Sequence, residues 1–475
     1  MLVVFRGAGE GDGVTYYEAP GVTLHHGDCL EVMRGMEPES FTAVVTDPPY
    51  GLEFMGKEWD TPGAFVERKS RRRAGSFESV QGNHNPVDAK DRQRTRLSEG
   101  VRFQAWCEMW ATEALRILKP GGILLAFGGT RTYHRLACAI ENAGFEVRDC
   151  LSWLYGSGFP KSLDISKAID KAKGAEREIP RSFSDKGEGH DPKGTLTGRA
   201  KATGWCEACG KSRGSQPANC KCDTTGTPAT PLAQTWHGYG TALKPAWEPI
   251  ILAMKPLDGT FAGNAERHGV AGVNVDGCRV GTEGGTRKST FPREESRNAY
   301  GNGINGACEI ESLGKGRFPA NLLLDETAAA MLDEQSGERV SSVPSNPVAV
   351  RRTSSPAVSD SGKGVVGAEQ PRTGFNDSGG ASRFFYTAKA SKADRTANGF
   401  ADNKHPTVKP VDLMRWLVRL VTMPTGTRIL DPFMGSGSTI VAAREDSVEV
   451  VGIEQDEDSC RTAVDRLAQG VLRFD

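Results

Sequence analysis

The stretch T-R-I-L-D-P-F-M-G-S-G-S-T, residues 427–439, has the pattern of a buried strand, a glycine turn and the start of a helix. Gly435 and Gly437 allow positive φ angles and let the backbone approach a ligand closely. The N–H groups of the following helix would face that ligand and suit a carboxylate. The next strand, 448–454, ends in Glu454, which is placed to accept hydrogen bonds from ribose hydroxyls. The stretch predicts a nucleoside-type pocket, with an ordinary glycine turn as the alternative.

Strands and helices alternate along both ends of the chain. The apolar run 123–127 is typical of a strand buried on both faces, and 103–118 has helical spacing of its apolar residues. This alternation predicts an α/β fold with a mostly parallel sheet covered on both sides. The further predicted strands are the start of 22–33, then 41–46, 145–154, 247–255 and the two near the C-terminus; further helices are predicted at about 131–143, 321–333, 410–422, 438–445 and 456–468.

The composition predicts that long polar insertions interrupt this core. Only 37% of the 475 residues are hydrophobic, while glycine (57) and proline (26) are plentiful. The formal net charge of −1 gives no global attraction to nucleic acid, so DNA binding would need local basic patches. No run reaches the roughly 18–20 apolar residues of a membrane span, and the first residues lack a secretion signal. The odd number of cysteines, 11, favours a reducing cytoplasm.

A second motif, T-D-P-P-Y-G at residues 46–51, follows the apolar run 41–45. Two adjacent prolines cannot continue a strand's ladder, because neither has an N–H to donate. The strand therefore ends in an acid, two residues that offer only acceptors, and an aromatic ring. Taken alone, this is either a rigid turn with a buried tyrosine or a site built to accept hydrogen bonds.

The two motifs together resemble those of the amino-methyltransferases of DNA. In that family an F-x-G-x-G loop binds S-adenosylmethionine (AdoMet) and a D-P-P-Y loop holds the target amine. Here D-P-P-Y comes first, which resembles the circularly permuted beta group. H-P-T-V-K-P at 405–410 and Gly27-Asp28 match further family elements that line the cofactor pocket. The resemblance covers roughly 1–160, 238–257 and 404–475.

The resemblance implies a Rossmann-like AdoMet methyltransferase sheet of about seven strands. The chain would open on the third strand of that sheet, which is completed only when the last 50 or so residues dock. The resemblance also implies roles for three residues of the D-P-P-Y motif. Asp47 would accept one N–H of an exocyclic amine, the Pro48 carbonyl would accept the other, and Tyr50 would stack on a flipped-out base. The expected catalytic set is Asp47, Pro48, Pro49 and Tyr50, and the expected cofactor set is Asp28, Lys409, Asp431, Phe433, Gly435, Ser436, Gly437 and Glu454.

The expected function is site-specific methylation of double-stranded DNA in the cytoplasm. D-P-P-Y favours adenine N6 as the target, with cytosine N4 as the alternative. A non-catalytic nucleic-acid-binding protein with this fold is the alternative of another class, although it would require damaged motifs. No nuclease signature or membrane segment is visible, and a homodimer is left open. Segments 156–162 and 244–253 resemble those of bacteriophage-encoded modification methylases.

The sequence in the middle of the chain predicts insertions into the core fold. Cys206, Cys209, Cys220 and Cys222 predict a structural zinc knuckle, with surface thiols as the alternative. Glu67 to Arg102 is a basic stretch expected to be a mobile loop, which either folds over DNA phosphates or is simply solvated. The expected organisation is a catalytic half at 1–160, the zinc insertion at 161–237, a returning core strand at 238–257, a target-recognition region at 258–403 that is partly disordered at 336–380, and an AdoMet-binding half at 404–475.

Overall fold

The computed structural model describes several separate parts of the chain. These are residues 14–51, 89–156, 158, 162–177, 227–281, 287–290, 309–312, 316–340, 378–389, 403 and 408–469. Contacts divide the chain into two compact units, one formed by Met1–Gly156 with Ala246–Asp475 and the other by Ser157–Pro245. Among the described residues, no helix is both long enough and apolar enough to cross a membrane.

The first unit is built on one ten-stranded sheet in the order β1-β2-β14-β13-β3-β4-β6-β5-β9-β12. Its strands are β1 (Val14–Ala19), β2 (Val22–His26), β3 (Phe41–Thr46), β4 (Leu118–Phe127), β5 (Glu146–Leu154), β6 (Trp247–Met254), β9 (Leu322–Asp325), β12 (Tyr386–Ala388), β13 (Arg428–Asp431) and β14 (Glu449–Glu454). Two small antiparallel pairs lie outside it: β7 (Arg287–Thr290) with β8 (Glu309–Ser312), and β10 (Arg339–Val340) with β11 (Ser378–Gly379).

Helices cover both faces of the large sheet. One face is covered by α1 (Cys29–Arg34), α2 (Ala89–Ile117) and α3 (Tyr133–Asn142), which contribute Met33, Trp110 and Ile140 to one buried cluster. The other face is covered by Val411–Leu420, Ser438–Glu445 and Glu457–Gln469, whose apolar residues form a second cluster. We number these three helices α8, α9 and α10. The remaining helices are α4 (Ile165–Ala172) and α5 (Pro231–Thr235) in the second unit, and α6 (Phe261–His268) and α7 (Glu326–Ser336) in the first.

The C-terminal strands lie in the middle of the sheet. β13 pairs in parallel with both β3 and β14, and β14 pairs in parallel with β2. The last 50 or so residues therefore enter between strands from the first 50, and the predicted α/β fold is confirmed. All six residues of β3 are buried, as expected for a strand covered on both faces.

Three details of the prediction were wrong. The sheet has ten strands rather than about seven, because β1 adds an antiparallel hairpin and β9 and β12 extend the far edge. Leu322–Asp325 is a strand where a helix was expected; three leucines are compatible with either, and Leu323 and Leu324 are buried in the strand that pairs with β5. Residues 89–102 of the basic stretch belong to α2 rather than to a loop.

Candidate active site

The two sequence motifs meet at one edge of the sheet. Parallel strands end at the same edge, so Thr46 at the end of β3 lies beside Asp431 at the end of β13. The Thr46 hydroxyl donates a hydrogen bond of 2.7 Å to Asp431 Oδ1, and both residues are buried. Residues 385 positions apart in sequence thus hold the D-P-P-Y turn against the glycine turn.

A cluster of polar side chains follows β3. Asp47 Oδ1 accepts a hydrogen bond of 2.8 Å from the Tyr50 hydroxyl, and Asp47 Oδ2 accepts one of 2.6 Å from Lys409 Nζ. Glu248, at the start of β6, has its Oε2 3.2 Å from both the Tyr50 hydroxyl oxygen and Lys409 Nζ. The Lys409 ammonium also lies 4.8 Å from the centre of the Phe127 ring. Each member of the cluster therefore has a partner of complementary charge or hydrogen-bonding capacity.

Two groups in this cluster have shifted pKa values. Burial alone would lower the pKa of Lys409, but the carboxylates of Asp47 and Glu248 outweigh burial and leave it raised. Burial and the same two carboxylates raise the pKa of the Tyr50 hydroxyl well above its ordinary value. Lys409 is therefore charged and Tyr50 is neutral at physiological pH.

The glycine turn has the predicted backbone. Gly435 has φ +51° and Gly437, at the N-terminus of α9, has φ +81°. The Gly435 N–H donates a 2.9 Å hydrogen bond to Glu454 Oε2, which connects this turn to the end of β14. Ser436 is buried, and its hydroxyl accepts from the Asn403 amide at 3.1 Å.

Carboxylates end three neighbouring strands around this turn. Glu454 Oε1 accepts from the N–H groups of Gln455 and Asp456, both at 2.8 Å. Asp28 caps α1 by accepting from the Leu30 N–H at 2.9 Å, and it follows Gly27, whose N–H donates to the Glu454 carbonyl at 2.9 Å. Asp431, at the end of β13, is the third of these carboxyl groups.

The other predicted cofactor residues have different surroundings. The Phe433 ring packs against α2, with its centre 5.5 Å from that of Trp106 and 5.6 Å from that of Trp110. Lys409 contacts both motifs, because its carbonyl accepts from the Ser438 hydroxyl at 2.9 Å while its ammonium reaches Asp47. Pro48 is buried and Pro49 is half-buried in the turn between Asp47 and Tyr50.

Asp431 should make stability depend on pH. Burial raises its pKa to about 6, although hydrogen bonds from Thr439, Thr46 and the Phe433 N–H act in the opposite direction. Since the folded-state pKa is above the unfolded one, the carboxyl favours folding when protonated and loses that benefit as the pH rises through 6. Relative to Asp431→Asn, the wild-type free energy of unfolding should fall by about 3 kcal/mol between pH 3.5 and pH 7. Urea unfolding of both proteins across this range measures the difference, and a pH-independent difference would contradict it.

Sequence reasoning missed Glu248. Its neighbours in W-E-P-I-I-L-A-M predict a core strand, and one acid at the start of such a strand looks like an ordinary solvated end. The direction of that strand brings Glu248 to the site, and the apolar run in the sequence does not reveal that direction. β6 is antiparallel to β4 and β5, so it begins at the edge where they end.

Paired basic and aromatic residues of the predicted target-recognition region, 258–403, lie elsewhere. The Arg383 and Arg317 guanidinium carbons are 4.4 Å and 5.0 Å from the centre of the exposed Phe384 ring. These residues precede β9 and β12, which run parallel to β5, so they lie at the strand-start edge of the sheet. Asp47 lies at the opposite, strand-end edge. His405 to Thr407, the four zinc-knuckle cysteines and 341–377 are outside the described residues.

A family of DNA methylases and several curated methyltransferases match parts of this chain. A DNA methylase family, designated N6_N4_Mtase, matches residues 41–173 and 359–465, together half of the chain. The type II methyltransferase M.ScaI of Streptomyces caespitosus is 44% identical over 187 residues, covering 38% of this chain and 49% of that protein. M.HindIII of Haemophilus influenzae is 27% identical over 135 residues, covering 27% of this chain and 42% of that protein. The chain thus spans less than half the length of the curated relatives it matches.

A solved structure of the cytosine-N4-specific PvuII DNA methyltransferase aligns with 94% of this chain and 88% of its own, with 12% identity and a TM-score of 0.39. The family match contains the D-P-P-Y turn in its first segment and the glycine turn in its second, the two motifs that the sheet brings together. The chain belongs to the N6/N4 family of DNA methylases.

Proposed function

We propose that this protein transfers a methyl group from AdoMet to the exocyclic amine of a flipped-out DNA base, adenine N6 in preference to cytosine N4. The observation that carries the proposal is the contact between the two motifs. The Thr46–Asp431 hydrogen bond connects the D-P-P-Y turn directly with the glycine turn, and this connection supports the proposal. Neither motif alone would distinguish an active site from an unusual turn.

The residues around the glycine turn fit AdoMet. Gly435 and Gly437 have positive φ angles, which would let the backbone approach the carboxylate or nucleoside group of a ligand closely. The carboxylates of Asp28, Asp431 and Glu454 suit ribose hydroxyls and a cation better than a polyphosphate. AdoMet, when bound, supplies an electrophilic methyl group on a cationic sulfur.

The D-P-P-Y turn fits the second substrate. The amine of adenine or cytosine is a poor nucleophile because its lone pair is delocalised into the ring. Asp47 and the Pro48 carbonyl would each accept one N–H, which favours a tetrahedral nitrogen with its lone pair free to attack. Once methylated and positively charged, the nitrogen would pass one proton to the Asp47 carboxylate through the N–H···O hydrogen bond between them. Tyr50 would supply an aromatic face for the extruded base.

The proposal is tested with purified protein, double-stranded DNA of mixed sequence and AdoMet labelled in its methyl group. The DNA is digested to nucleosides and analysed by mass spectrometry. We expect labelled N6-methyladenine; labelled N4-methylcytosine would keep the amine chemistry and change the base. Label in protein or RNA without label in DNA would contradict the proposal.

We also propose structural zinc for the insertion, supported by the C-x-x-C and C-x-C pairs at Cys206, Cys209, Cys220 and Cys222. Four thiolates would stabilise a segment that has few apolar residues to bury. About one zinc ion per chain is expected after dialysis, and a variant with Cys206 and Cys209 changed to serine should lose it. The exposed Cys138 changed to serine is the matched control. Much less than one zinc ion per chain in the wild-type protein would contradict the zinc proposal.

A further inference from the structure

Glu248 brings a second carboxylate to the target-amine cluster from an unexpected part of the chain. It is the second residue of β6 and is paired opposite Trp153 of β5, at the edge where β3 and β4 end. Its side chain is 20% exposed, the same fraction as that of Asp47. Its Oε2 lies 3.2 Å from Lys409 Nζ, so one buried ammonium lies between two carboxylates.

The sum of charges in this cluster matters for the proposed reaction. Lys409 is only 8% exposed and lies 2.6 Å from Asp47. If Asp47 were its only partner, the Lys409 ammonium would cancel the negative charge of that carboxylate. A methylated, cationic amine needs this negative charge nearby. With Glu248 present, the two carboxylates and one ammonium carry a net charge of −1, since Tyr50 stays neutral. A cation that develops on the amine is stabilised by that net negative charge and much less by a neutral pair.

The geometry also gives Lys409 another partner when the base arrives. Both Asp47 oxygens already accept hydrogen bonds, one from Tyr50 and one from Lys409. An incoming amine N–H must share or replace one of these donors. A buried ammonium left without a carboxylate would be costly, and Glu248 removes that cost because it is already within 3.2 Å.

We propose that Glu248 is a positioning residue whose carboxylate balances the positive charge of the Lys409 ammonium. The negative charge of Asp47 then remains to stabilise the target amine. This inference rests on the proposed function. It assigns a role to a residue outside both motifs and places the Lys409 side chain in the target-amine site. It predicts that the contribution of Glu248 to catalysis depends on the presence of the lysine.

The first test compares wild-type protein with Glu248→Gln, which keeps an acceptor for the Tyr50 hydroxyl and removes the charge. The rate at saturating AdoMet and DNA should fall on the order of 100-fold, while the Kd for AdoMet stays within about twofold. The matched control is Glu449→Gln, which breaks a 2.7 Å ion pair with Arg428 at the start of β14 and should keep the wild-type rate. A wild-type rate in Glu248→Gln would overturn the inference.

The second test adds Lys409→Met to Glu248→Gln. Without the ammonium, Asp47 is no longer neutralised, so the double variant should be at least about tenfold faster than Glu248→Gln alone. A purely structural role for Glu248 predicts the reverse, because losing two members of the cluster would damage it further. A double variant as slow as Glu248→Gln, or slower, would overturn the inference. If the wild-type protein itself transfers no methyl group, the proposed function fails, and this inference fails with it.

Discussion

Changing Asp47 to alanine should abolish methyl transfer, with a loss of at least about 1000-fold, while the affinity for AdoMet stays within about threefold of wild type. The carboxylate of Asp47 is the charged acceptor proposed for the target amine. Removing it leaves the Lys409 ammonium paired only with Glu248, at 3.2 Å, so the cluster changes from a net charge of −1 to zero. The glycine turn and the carboxylates of Glu454 and Asp28 are unaffected, which is why cofactor binding should survive.

The measurement combines transfer of labelled methyl groups to DNA with calorimetric titration of AdoMet. Asp458→Ala is the matched control, because that carboxylate is 87% exposed on α10 and should give wild-type rates. Turnover by Asp47→Ala close to that of the wild type would remove Asp47 from the catalytic set. Loss of AdoMet binding in the same variant would instead show that Asp47 belongs to the cofactor pocket.

Changing Gly437 to valine should weaken AdoMet binding by at least about 30-fold and lower the free energy of unfolding by about 2–3 kcal/mol. Gly437 has φ +81°, where a β-branched side chain is strained. A Cβ at this position would lie 2.8 Å from the Ala463 Cβ in α10. Relief of that collision would displace the first turn of α9, whose N–H groups face the proposed cofactor.

Gly426→Val is the control variant that separates the effect of backbone strain at a positive φ from the effect of displacing helix α9. Gly426 also has a positive φ, +108°, but a Cβ there would meet no atom within 4 Å. Gly426→Val should therefore lose stability and keep its AdoMet affinity, measured by thermal unfolding and by calorimetry. Unchanged affinity in Gly437→Val would mean that the glycine turn is structural and that AdoMet binds elsewhere.

The meeting of the two motifs could be predicted because it follows from strand direction. Thr46 and Asp431 end buried parallel strands, and such strands end at one edge of a sheet. The positive φ angles of Gly435 and Gly437 could be predicted for a similar reason, since a sharp strand-to-helix turn favours glycine.

The features that could not be predicted from the sequence depend on which strands pair with each other and in which direction. The charge balance around Asp47 depends on Glu248, whose position follows from an antiparallel strand in a mostly parallel sheet. An apolar run does not reveal its direction. The strand at Leu322–Asp325 was missed because burial against β5, rather than local propensity, decides between strand and helix for three leucines.

The most direct test of the central claim is to express the chain in bacteria that lack DNA methylation and read modified bases by long-read sequencing. The proposed function predicts methylated adenines, or N4-methylated cytosines, within one recurring sequence in cells that carry the wild-type protein. Cells that carry Asp47→Ala should show none. A genome without modified bases, in cells where the wild-type protein is folded and abundant, would contradict the assignment of this chain as a DNA methyltransferase.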